Sequence, residues 1–163
     1  MRVNIGKFPK RSGQRKISVK IDEWDTWNMD HTLALIVHPM LLQLKEQKRG
    51  SPYVDDEDVL EHLRSTTAPP RENDWDTDLY HHDRWDYVLN EMLFAFEFMI
   101  TDDADSEFYK DLGEHEFVER EDGHYELVWK REPVVDHEGL KRYHDRVNNG
   151  FRLFGRYYKA LWT

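Results

Sequence analysis

The chain contains no cysteine. That excludes disulfides, thiolate metal sites and thiol nucleophiles, and it suits a reducing cytoplasm. No run of 18 apolar residues occurs, so no transmembrane helix is expected. The basic N-terminal stretch lacks the apolar segment of a secretory signal, which again points to the cytoplasm. Also missing are the phosphate-cradling GxxxxGK[ST] and GxGxxG loops, the zinc helix HExxH and the nucleophile elbow GxSxG. Hydrophobic residues are scarce at 39%, against 34% charged, so the core has to come largely from rings. Six Trp, eight Tyr and eight Phe are available, each removing roughly 150–250 Å² from water when buried. At 163 residues the chain is long enough for one domain, 1–163, and too short for two comfortable ones.

Charge is unevenly spread. Residues 1–20 hold seven Lys/Arg and no acid, whereas residues 21–163 hold 33 acidic and 16 basic residues. Such an acidic body disfavours nucleic-acid binding. The basic segment either touches a phosphate backbone or pairs with acidic surface of its own chain or of a partner subunit.

Two short strands around a polar turn are expected at the N-terminus. Ile17, Val19 and Ile21 alternate with polar residues as in a half-buried strand, and Pro9 with the turn RSGQ ends the first strand. A first helix is expected from Asn28 to Gly50, with Leu33, Ile36, Val37, Met40, Leu41 and Leu44 as its core stripe and a kink or restart at Pro39. SPYVDDEDVLEHLRS reads as a short second helix, followed by a polar loop with two prolines. A helix from Asp78 to Ile100 is apolar nearly all round in its second half, so it should be central and buried. HEFVEREDGHYELVWKR reads as a hairpin with a two-residue turn at Asp122-Gly123. The last helix, Asp136 to Leu161, carries Leu140, Tyr143, Val147, Phe151, Phe154, Tyr158 and Leu161 at helical spacing. The fold class is therefore α+β: three long helices and one short helix packed with two β-hairpins, which have room to pair into one small antiparallel sheet.

Three constellations are candidates for function. At about 100° per residue, His82, Asp86, Asn90 and Glu97 fall within roughly an 80° arc of the helix expected to be buried. Buried carboxylates need partners. A divalent metal on His82 and Asp86, a ligand base or ribose, and an arginine from the last helix are three ways to supply one. On the last helix, Arg142, Arg146, Asn149, Arg152 and Arg156 form a second arc, with Tyr157 beside it. It suits phosphate and base, interhelical ion pairs or plain solvent. On the first helix, His31 and His38 share a face with Leu35 and Leu42, next to Trp24 and Trp27. They read as packed core residues or as a pocket wall offering stacking and hydrogen bonds. Asp30-His31 and His82-Asp83 resemble the His–Asp pairs of HD phosphohydrolases, although helices and spacings differ from that pattern.

The blocks WDTWNMDHTLALIVHPML, GSPYVDDEDVLEHLRST, APPRENDWDTDLYHHDRWDYVLNEM and FRLFGRYYKALW resemble an uncharacterised family of small accessory, non-virion proteins of tailed bacteriophages. The resemblance spans most of the chain after residue 20. It implies expression in the cytoplasm of an infected bacterium and a task in managing host machinery or blunting host defence, and it brings no catalytic residues.

The leading expectation is a binding protein that sequesters a small nucleotide-type host signal without cleaving it and without a cofactor. Its site would use Trp24, Trp27, His31, His38, His82, Asp86, Asn90, Glu97, Arg146, Arg152, Arg156 and Tyr157. The first alternative is a protein-interaction module acting on a host enzyme through its acidic surface. The second is a divalent-metal phosphohydrolase using His31, His82, Asp86 and Glu97. Neither a membrane nor nucleic acid is an expected partner. A homo-oligomer is, because sheet edges and surface Trp residues need cover.

Overall fold

The computed structural model describes residues 1–7 and 13–162. Pro9, Arg11 and Ser12 of the expected first turn lie outside them. The architecture is α+β, with three α-helices and three small antiparallel sheets of two strands each. The helices are α1 (Met29–Gln47), α2 (His81–Ile100) and α3 (His137–Arg156). The strands are β1 (Arg2–Ile5), β2 (Ile17–Lys20), β3 (Tyr109–Asp111), β4 (Glu114–Glu119), β5 (Tyr125–Arg131) and β6 (Val134–Val135). They pair as β1–β2, β3–β6 and β4–β5. The two expected hairpins form but stay separate, and β3–β6 was not anticipated.

The helix expected to be central is so. Its neighbours α1 and α3 each pack on α2 and scarcely on each other. Trp85, Val88, Leu89 and Met92 of α2 are fully buried in one cluster with Ala34 and Leu41 of α1 and Leu153 of α3. Gly150 lets α3 approach closely: a Cβ there would lie 2.3 Å from the Glu91 carbonyl oxygen and 2.6 Å from the Ala95 Cβ. Aromatic edges fill the rest, with Phe96 packed against Phe151 and Phe154.

Several expectations are corrected. The helix α1 ends at Gln47 because Lys48 turns extended, so Gly50 is not its terminal cap. It runs through Pro39 without restarting. Pro39 and Leu35, whose carbonyl loses its helical donor, both lie on the exposed side, where water can substitute. Leu33 and Met40, expected in the core, are exposed, and Ala34 takes the inner position. The expected short helix is instead three 3-10 turns, Asp56–Asp58, Glu61–Leu63 and Ser65–Thr67. There the Asp56 carboxylate accepts from the Ser65 backbone N–H at 2.7 Å and its hydroxyl at 2.8 Å, competing with helical bonding. In α3 the regular helix stops at Arg156, and Tyr158 is exposed while Tyr157 is buried. The β4–β5 turn closes over three residues, not two: the Arg120 N–H donates to the His124 carbonyl across Glu121, Asp122 and Gly123. Gly123 takes φ 79°, the left-handed conformation that such a loop requires. Finally, β1–β2 is exposed at every position rather than half-buried, since nothing in the described chain covers it.

Candidate functional site

The arc of His82, Asp86, Asn90 and Glu97 exists, but it faces outward. With α1 and α3 covering two flanks of α2, the polar arc takes the flank left open. Glu97 and Asn90 are exposed and Asp86 is partly so, which corrects the expectation of buried carboxylates. Helix α1 runs antiparallel to α2 and supplies the partners. Lys48 Nζ sits 3.0 Å from Asp86 Oδ1, and Lys45 Nζ donates to Asn90 Oδ1 at 2.7 Å. His82 Nδ1 lies 2.9 Å from the Ser51 hydroxyl. His82 and Asp86 therefore turn to different partners. Among the described residues no group of three or more His, Asp or Glu converges as a metal site.

The buried carboxylates are two that the periodicity did not single out, Glu91 and Asp58. Burying a carboxylate is costly unless it is paired and hydrogen-bonded. Both meet the arginine arc of α3. Arg146 holds Glu91 with Nη2–Oε1 at 2.8 Å and Nε–Oε2 at 3.0 Å, and its guanidinium lies 3.8 Å over the Phe94 ring. The Glu91 bond raises the Arg146 pKa above its ordinary value. Asp58, whose side chain is 0% exposed, receives Arg152 Nη2 at 2.6 Å and Arg156 Nε at 3.0 Å. It also accepts the Tyr157 hydroxyl proton at 2.6 Å, while the same hydroxyl oxygen accepts the Asp55 N–H at 3.0 Å. Burial first, then the bond to Asp58, pushes the Tyr157 pKa up to about 12. Arg156 reaches on to Asp55 and Glu57, at 2.6 and 2.7 Å.

Of the readings open to the arginine arc, ion pairing is therefore the one realised by Arg146, Arg152 and Arg156, although their carboxylates come from other positions than expected. They clamp the segment around Asp58 to α3 and α3 to α2. Arg84, which unlike them is itself buried, makes a similar pair with Asp78 at 2.5 Å. Its hydrogen bonds hold the Asp78 pKa below the usual carboxylate value.

His31, His38, Trp24 and Trp27 lie on the outside. His31 Nδ1 donates to the Met99 carbonyl at 2.7 Å, tying the start of α1 to the end of α2. His38 is half-buried. Trp24 and Trp27 are 72% and 80% exposed, with ring centroids 6.2 Å apart. Leu35 and Leu42 continue the same face of α1 and are exposed too. The histidines thus stand beside an exposed apolar ridge of α1, and none of these residues lines either of the concavities open to solvent.

Two concavities are open to solvent. One of about 390 Å³ lies within the loop from Pro69 to Leu79 and includes none of the expected site residues. Another of about 160 Å³ lies between α2 and α3, lined by Phe94, Phe98 and Tyr143, with Glu97 the one expected residue in it. The twelve expected site residues are therefore distributed over a ridge, an open polar strip and a clamp of half-exposed arginines on buried carboxylates. Nothing in the spacing of Asp58 or Glu91 marks them in advance; the surplus of arginines on α3 is the signal that buried carboxylates had to exist. Comparison of the chain with known protein families, with curated proteins and with solved structures found no match.

Proposed function

We propose that this chain is a protein-interaction module that docks on a basic surface of a host protein through the outward ridge of α1. The observation that carries the reading is the exposure of Trp24 and Trp27 at the head of a ridge continued by Leu35 and Leu42. A helix apolar on both its inner and outer faces is ordinarily covered on both, and α1 is covered on one. Exposed tryptophans beside aliphatics are the composition of binding hot spots. Asp30 and Glu46 on α1 and Asp83 on α2 are exposed, and the chain carries a net charge of −10, which favours a cationic partner. The phage resemblance supplies the setting, an infected bacterium in which such a module would act on a host enzyme.

The arginines that a nucleotide-sequestering site needs for phosphate are engaged with Glu91 and Asp58, and the residues of the hydrolase reading hold separate partners. Both facts support docking over the two other readings. Affinity capture from bacterial lysate tests it with the wild type and with Trp27→Ala/Leu35→Glu as baits. A defined protein held by the wild type, released by salt and lost with the double variant supports the proposal. Capture that is indifferent to the double variant, or a nucleotide that raises the melting temperature of the free protein, overturns it.

A further inference from the structure

The two exposed hairpins pose a separate question. Every residue of β1, β2, β4 and β5 is exposed, although two-stranded hairpins alone are at best marginally stable in water. In both, the register gathers apolar residues on one face. Val3 opposes Val19 and Ile5 opposes Ile17, which places four aliphatic side chains together and leaves Arg2, Asn4, Ser18 and Lys20 on the reverse. In β4–β5, His115 opposes Trp129, Phe117 opposes Leu127 and Glu119 opposes Tyr125.

Their charges are opposite. Among the described residues Arg2, Lys7, Lys16 and Lys20 have no carboxylate partner. In β4–β5 every cation is taken: Arg120 by Glu126, Lys130 by Glu116, and Arg131 by Asp111. That leaves Glu119, Glu121 and Asp122, toward the turn, without a cation among the described residues.

We propose that the aliphatic face of β1–β2 in one copy of this chain stacks on the aromatic face of β4–β5 in a second copy. Two sheets packing in this way bury both apolar faces at a spacing of roughly 10 Å. They bring Lys7, which continues the Val3–Ile5 alternation of β1, toward Glu119, which opposes Tyr125 on the aromatic face. Stacking like on like would set Lys7 near Lys7 in one pairing and Glu119 near Glu119 in the other, so the interface is heterologous. Each copy offers both surfaces, and the assembly closes as a ring when the rotation permits. This self-association uses neither Trp24 nor Trp27 and stands independently of the docking ridge.

The test is mass by light scattering at low salt, with Ile17→Asp and Phe117→Asp as variants at exposed hairpin positions. The wild type runs at a multiple of 19.8 kDa. Each variant alone runs at 19.8 kDa, and an equal mixture runs at about twice that, because each retains the surface the other lacks. Lys7→Glu and Glu119→Lys, which leave both apolar faces intact, weaken assembly singly by tenfold or more, and their equal mixture regains the wild-type mass because both pairings then join opposite charges. Circular dichroism confirms that the helices persist. A monomeric wild type overturns the proposal, as do variants that keep the wild-type mass and monomeric variants that fail to combine.

Discussion

Asp58 and Tyr157 are 99 positions apart in the chain, and their side chains meet at 2.6 Å in the interior. With Arg152 and Arg156 closing over the same carboxylate, this contact fastens a segment of 3-10 turns to the end of α3. Breaking a buried, charge-compensated cluster exposes an imbalance that depends on which member is removed. Asp58→Ala strips two guanidinium groups and a hydroxyl of their common acceptor and is expected to cost about 3 kcal/mol. Arg152→Ala leaves Asp58 with Arg156 and Tyr157 and should cost about 1 kcal/mol, since Arg152 is partly solvated. Urea unfolding of the two variants against the wild type measures the difference; equal losses would contradict the geometry.

Gly150 and Gly155 are a matched pair on α3. Alanine is the better helix former by about 1 kcal/mol, so propensity alone predicts a gain at both positions. A Cβ on Gly150 meets backbone of α2, whereas one on Gly155 meets nothing within 4 Å. Gly150→Ala is therefore expected to destabilise by about 2 kcal/mol through forced separation of α2 and α3, and Gly155→Ala to be neutral or stabilising. Thermal melts of both variants check the opposite signs.

Stability should fall at both extremes of pH for separate reasons. The folded-state pKa of Tyr157, about 12, lies above its ordinary 10.0. Its contribution is intact below pH 10 and is lost as pH rises toward 12, by something on the order of 1–2 kcal/mol. Asp78 has the reverse sign: its pKa is held below the model-compound value of 3.8, so its contribution is intact above about pH 4 and is lost as pH falls through the folded value. Denaturant titrations along pH should show Tyr157→Phe flattening the alkaline limb and Arg84→Ala flattening the acid one, each leaving the other limb in place.

The helical spacing made much of this molecule legible. The hydrophobic second half of α2 announces the central helix, and the 100° steps correctly group His82 with Asp86, Asn90 and Glu97. Direction was not legible. An arc is defined by one helix alone, whereas the flank left to solvent depends on where α1 and α3 pack. The same limit explains Asp58: local preference reads its surroundings as a helix, and only contacts with Arg152, Arg156 and Tyr157, about a hundred residues on, convert them to 3-10 turns. His31 and His38 share one helical face with Leu35 and Leu42, yet an exposed ridge and a pocket wall have the same sequence pattern.

The central claim is that the α1 ridge, and not the arginine arc of α3, is where this chain binds. The most direct measurement is calorimetric titration of the captured host protein into wild type, Trp27→Ala and Leu35→Glu, with Arg146→Lys as a control in the α2–α3 ion pair, away from the ridge. Central hot-spot residues each contribute roughly 2 kcal/mol or more, so either ridge substitution should weaken Kd by about thirtyfold or more while Arg146→Lys leaves it unchanged. Unaltered affinity in both ridge variants, or loss confined to the Arg146 variant, would contradict the account.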